Sequence, residues 1–213
     1  MKRSGSLAIA LGVLAAAWLG PLPDLARGSF AAHMTLHMTV VAVAAPLLAL
    51  AMAGRIVDPV RVMPRLVTPI PASIIELAIV WAWHAPVLHH AARHHSGAFV
   101  IEQASFLAAG VLLWVSAVGG SRETRRLRAG AGIVALLFTS MHMTLLGALF
   151  ALANRPLFHV SNASDASAIA DQQLGGVVML IVGGAVYMAG GLGLTAVALR
   201  PRVAQAVAPG STA

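Results

Sequence analysis

Residues 30–53 read FAAHMTLHMTVVAVAAPLLALAMA, a stretch without Lys, Arg, Asp or Glu that is long enough to cross a bilayer as one helix. A hydrocarbon core of about 30 Å needs roughly 20 apolar residues in helical form. On either side of it, similar runs bounded by Pro, Gly and charge predict further helices near residues 5–20, 70–91, 97–119, 129–153 and 172–198. Composition agrees: 59% of the 213 residues are hydrophobic and 10% charged, too little polar surface to keep such a chain in water. The sequence therefore reads as all-α, a polytopic membrane helix bundle of about six transmembrane helices forming a single integral-membrane domain over residues 1–213. Its solvent is the lipid bilayer. The first run follows Lys2-Arg3 and ends at Gly20-Pro21, which also suits a signal peptide; lacking a convincing small-x-small cleavage site, it is read as a retained anchor.

Orientation follows from the bias of Lys and Arg toward cytoplasmic connectors. Lys2 and Arg3, then Arg55, Arg61 and Arg65, then Arg122, Arg125, Arg126 and Arg128, and finally Arg200 and Arg202 fall in alternate connectors, eleven cations in all. The remaining connectors hold only Arg27, Arg93 and Arg155. This predicts cytoplasmic N and C termini and outward-facing segments 21–29, 89–96 and 154–171. The net charge of +7 is explained by topology, and no aromatic-basic platform suggests nucleic acid. Gly176, Gly183 and Gly190, with Gly184 and Gly191 beside them, predict close backbone approach along the last helix.

With no Cys, thiolate metal sites and disulfides are excluded, leaving His, Met and carboxylates as possible ligands. All nine His fall at or outside the predicted midplane. In His33-Met34-Thr35-Leu36-His37-Met38 the i,i+4 spacing puts two imidazoles on one helix face and two thioethers on an adjoining strip. Met141-His142-Met143 repeats the combination on the fifth helix, and His84 closes the third within Trp81-Ala82-Trp83-His84-Ala85-Pro86. Imidazole with thioether suits Cu(I), whereas zinc favours Cys, His and carboxylate. The plainer reading is that Met fills the core and His bonds a neighbouring helix. His89, His90, His94 and His95 read as a solvated, pH-sensitive loop or a weak divalent-metal site, and His159 lies in the last outer connector. Glu102 and Asp171, near the outer ends of their helices, are positioned to orient an imidazole or balance a cation; each also fits as an acid at its own helix N-terminus. Glu76, in the inner third, is expected to pair with an Arg of the cytoplasmic side, a proton or ion path being the alternative.

Four motifs in order resemble the multi-spanning CtaG-type cytochrome c oxidase assembly proteins over about residues 30–190. They are Phe30-x-x-His33-Met34-x-x-His37-Met38 with Ala45-Pro46-Leu47-Leu48, then Trp83-His84-x-Pro86, then Glu102-x-x-x-Phe106-x-x-x-Gly110-x-x-x-Trp114, and Asp171-Gln172-Gln173-x-x-Gly176. The resemblance implies a bacterial inner-membrane factor needed to mature haem-copper oxidase, through copper delivery. Two positions depart from the family pattern. Gln103 follows Glu102 where the family has His, which counts against a metal role for the fourth helix, and Leu180 stands where Trp is typical.

The expected function is a non-enzymatic assembly factor that holds or hands over copper, as Cu(I), to a haem-copper oxidase subunit at the outer face. His33, His37, His142 and His84, with Met34, Met38, Met141 and Met143, are the candidate ligands, and Glu102 and Asp171 their supporting acids. Competing readings are a haem b protein with two axial His, a copper or proton transporter, and a scaffold whose His only pack helices. Assembly with further copies of the chain is left open.

Overall fold

The computed structural model describes residues 3–158 and 164–199, and among them there is helix and no strand. The helices are α1 (Arg3–Leu19), α2 (Leu22–Gly28), α3 (Phe30–Met52), α4 (Pro59–Val62), α5 (Pro69–Trp83), α6 (Pro86–His94), α7 (Ser96–Val118), α8 (Arg122–Ala151) and α9 (Asp165–Leu199). Of these, α3, α7, α8 and α9 are each long and apolar enough to cross a membrane. The bent pairs α1–α2, at 47°, and α5–α6, at 72°, bring the number of candidate spans to six when each pair counts as one. His159 and the tail arginines Arg200 and Arg202 lie outside the described residues.

The largest correction to the expected helices concerns 70–91, which is two helices. Pro86 cannot donate to the preceding turn and pushes Ala85 out of the helical region, to a ψ of 135°. The chain turns at His84 and restarts with Pro86 in the first turn of α6. The last two helices begin earlier than their hydropathy suggests. Ser121 Oγ accepts from Thr124 N at 3.1 Å, capping α8 so that the arginines at 122–128 stand on a helix instead of a loop. Ser164 Oγ accepts from Ser167 N in the same manner before α9. His89 to His94 likewise belong to a helix, with only His95 in the connector.

Pro46 lies inside α3 and removes one helical donor. The preceding residues 39–44 widen into a π-helical turn, in which Ala45 N bonds Val40 O five residues back, and the helix continues without a break. That turn follows directly on His37 and Met38.

The bundle packs through small residues. A Cβ on Gly110 would meet Ala45 Cβ at 3.0 Å, and one on Gly176 would meet Gly147 O at 2.6 Å, so α7 lies close on α3 and α9 close on α8. Gly183 and Gly190 instead make room for side chains, Met143 and Trp114, while Gly184 and Gly191 have nothing within 4 Å. The outward faces are apolar: Leu145, Ile181 and Leu192 are each more than half exposed, as lipid contact requires.

Because α3 ends and α5 begins at the same end of the bundle, Arg55, Arg61 and Arg65 share that end with Arg125, Arg126 and Arg128. Asp58 organises it. Its buried carboxylate accepts from Gly54 N and Gly120 N at 2.6 Å each and from Val60 N at 2.9 Å, tying the α3–α4 turn to the α7–α8 junction. Glu76 pairs with two hydroxyls in place of the expected arginine: Tyr187 Oη donates to it at 2.8 Å and Thr139 Oγ1 at 3.0 Å, all three residues buried. The opposite end of the bundle carries the histidines.

Candidate metal centre

The first turns of α3 place His33 and Met34, and the next turn His37 and Met38; all four are buried. The helix start is fixed from outside. Ser29 caps it by accepting from Ala32 N at 3.1 Å, and Asp171 on α9 accepts from Ser29 Oγ at 2.7 Å, Phe30 N at 2.6 Å and Ala31 N at 3.4 Å. Asp171 thus serves the positive end of a neighbouring helix, one turn ahead of His33, and bonds no imidazole. Its own helix begins six residues earlier, at Asp165.

His84 terminates α5. Its Nδ1 donates to Val80 O at 2.6 Å, since a carbonyl only accepts, and this leaves Nε2 of the neutral ring as a bare lone pair. That lone pair stands 3.4 Å from Met34 Sδ. Trp83 Nε1 donates to Ser105 Oγ at 2.9 Å, which holds this end of α5 on α7.

On α7, Glu102 is fully buried, and its Oε1 lies 3.3 Å from His33 Nε2 without hydrogen-bond alignment. Gln103 supports it: Gln103 Nε2 donates to Glu102 Oε2 at 3.2 Å while Trp18 Nε1 of α1 donates to Gln103 Oε1 at 3.2 Å. Gln103, where the resemblance implies His, therefore braces the carboxylate, and α7 does contribute to the cluster. The third member is His89, buried on the inner face of α6 beside Ala92. One ligand atom each of His33, His89 and Glu102 lie within 4.8 Å of one another, a group able to hold a metal ion.

Next to this triad sit His37 and His84, with ring centroids 5.3 Å apart, and Phe106 lies against His37 at 4.1 Å. His33, His84 and His142 are all electrostatic neighbours of His37. Met38 and Met143 converge on Gly183, where a Cβ would lie 3.9 Å from Met38 Sδ and 3.4 Å from Met143 Cβ. Met141 does not join them; it is 70% exposed on the outside of α8.

The polar atoms without hydrogen-bond partners concentrate here: His33 Nε2, both nitrogens of His37, His89 and His142, and Glu102 Oε1. Each such group costs about 1–3 kcal/mol when buried, and most buried polar atoms in proteins avoid it. A bound cation or ordered water would satisfy several at once. The site so formed gathers His33, His37, His84, Met34 and Glu102 from the expected residues, with His142 as a neighbour of His37, and adds His89, which by sequence stands among the solvated histidines. The sequence carries a signal for His89: Pro86 opens a helix, and His89 and Ala92 are then three residues apart on one face.

These features define a polytopic membrane protein with imidazole, thioether and carboxylate groups buried at one end of its helix bundle. The sequence model of the cytochrome c oxidase caa3 assembly factor family (Caa3_CtaG) matches residues 1–200, and the chain belongs to that family. No curated protein and no solved structure matches it.

Proposed function

We propose that this oxidase assembly factor holds copper as Cu(I) in the buried cluster and hands it to a haem-copper oxidase subunit at the outer face of a bacterial inner membrane. The contact of His84 with Met34 carries the reading. A lone pair on nitrogen faces a thioether sulfur, and in the neutral ring no hydrogen lies between them. Two ligands at about 2.0 and 2.3 Å from a tetrahedral ion stand about 3.5 Å apart, close to the distance found. Imidazole and thioether together favour Cu(I) over harder ions.

Charge points the same way. Glu102 is the carboxylate of the cluster, and a monovalent cation beside it leaves the low-dielectric interior neutral, whereas a divalent ion leaves a net charge. The haem reading fares worse, because Phe106 at 4.1 Å and His84 at 5.3 Å already crowd the His37 ring and leave no slot for a macrocycle there. The role is delivery, with no chemical conversion of the metal. Elemental analysis of detergent-purified protein after Cu(I) loading under reducing conditions tests it: about one tightly held copper per chain is expected, and zinc retained as well or better would overturn it.

A further inference from the structure

Three histidines of α6 line one small cleft, and only one of them belongs to the buried cluster. His90 and His94, exposed at i,i+4 on the helix, have ring centroids 4.2 Å apart. With His89, Arg93 and Phe158 they line a cleft of about 180 Å³ open to the surface. His89 sits at its floor, buried, its ring 4.7 Å from that of His33 and 4.3 Å from that of Phe158.

We infer that His90 and His94 form a metal-capture site that receives copper at the surface and passes it through His89 to the buried centre. The inference rests on the proposed function and adds the route of entry. Helical i,i+4 spacing brings two imidazoles onto one face, where they can share a cation. Two nitrogen ligands with open solvent around them bind weakly, which is what a site that must release its ion requires. His89 has both ring nitrogens without hydrogen-bond partners, and the two diverge across the ring. The neutral ring has one lone pair, and that nitrogen can take an ion from His90 or His94 and hold it within reach of His33 and Glu102, whose ligand atoms lie within 4.8 Å of one of its own. Transfer is ligand exchange: the ion keeps its charge, and one imidazole replaces another.

Arg93 also lines the cleft, and its charge would oppose a cation. It is held to one side, donating through Nε at 3.0 Å and Nη2 at 2.6 Å to Arg27 O, with Asp171 as its electrostatic counterpart. Leaving Arg93 fixed, the imidazoles of His90 and His94 remain the free donors at the mouth of the cleft.

The test uses the full chain in detergent, loaded anaerobically with Cu(I) as its acetonitrile complex and followed against a chromogenic Cu(I) chelator. His90→Ala/His94→Ala should reach the wild-type copper stoichiometry and affinity but load about tenfold more slowly, the scale on which a lost supporting ligand acts at metal sites. His95→Ala, in the connector, should load at the wild-type rate. A titration with Cu(II), read by electron paramagnetic resonance, should show a weakly held, imidazole-ligated copper beyond the buried equivalent that His90→Ala/His94→Ala removes and His33→Ala keeps; its persistence in the double variant overturns the capture site. Copper retained by the double variant at an unchanged rate overturns the capture site alone. A wild-type chain that retains no Cu(I) overturns the buried copper centre itself.

Discussion

His84 presents an unprotonated Nε2 to Met34 Sδ across 3.4 Å because its other nitrogen is committed to Val80 O. The relationship joins the end of α5 to the first turns of α3 through two soft donors. Met34→Leu conserves volume, so stability should change by less than about 1.5 kcal/mol. Cu(I) affinity should nevertheless fall by about tenfold or more in chelator competition, comparable to other losses around a metal. Unchanged affinity would show that the thioether only packs.

Asp171 acts on the start of α3. Asp171→Ala removes the acceptor for Ser29 Oγ, Phe30 N and Ala31 N and should destabilise the protein by about 1–2 kcal/mol, read as a lower melting temperature in detergent. Asp171→Asn, which keeps one acceptor oxygen, should recover part of the loss. Copper stoichiometry should be unchanged in both, since no imidazole touches this carboxylate; its loss in Asp171→Asn with stability retained would place Asp171 at the metal.

Glu76 accepts from Tyr187 and Thr139 in a region far along α5 from the cluster. Glu76→Gln still offers an acceptor and should support normal copper retention and oxidase assembly. Glu76→Leu leaves two buried hydroxyls unpaired, at about 1–3 kcal/mol each, and should lower the level of protein in the membrane. Oxidase deficiency in Glu76→Gln at normal protein level would favour an ion or proton path through this residue.

The orientation of the bundle is expected from eleven Lys and Arg in one set of connectors against three in the other. Reporter fusions after residues 92 and 160 should be active as periplasmic enzymes, and one after residue 125 inactive. The reverse pattern would put the histidine end in the cytoplasm.

The uninterrupted spans α3, α7, α8 and α9 are legible because apolar length decides them, and α3 also shows its chemistry because i,i+4 spacing within one continuous helix fixes which side chains share a face. Where the backbone bends, the pattern misleads. His89 reads as one of four solvated histidines, yet in α6 adjacent residues diverge, and His89 turns to the core while His90 faces out. Met141 and Met143 flank His142 in sequence, but positions two apart point to nearly opposite sides of a helix, so Met143 is buried and Met141 meets lipid. By sequence Asp171 fits its own helix or an imidazole, and only the packing of α9 beside α3 reveals whose terminus it serves. Hydropathy also starts the last two helices late, at 129 and 172, although Ser121 and Ser164 cap first turns that lie before those residues.

His37 separates metal binding from packing most directly. It is completely buried, lies against Phe106 at 4.1 Å, and makes no hydrogen bond through either nitrogen. Removing the imidazole nitrogens therefore forfeits no bond that holds helices together, and what remains is the volume of the ring. His37→Phe retains an aromatic ring against Phe106, while His37→Ala leaves a cavity worth several kcal/mol by analogy with other buried rings. If His37 is a copper ligand, both variants should lose copper retention and leave cells deficient in oxidase activity, with His37→Phe still accumulating in the membrane at near-normal level. His95→Ala, exposed in the connector after α6, should be nearly silent. Full oxidase assembly with His37→Phe would remove His37 from the metal site. Failure of His37→Ala through loss of the protein, with His37→Phe restoring both protein and oxidase, would assign the residue to helix packing.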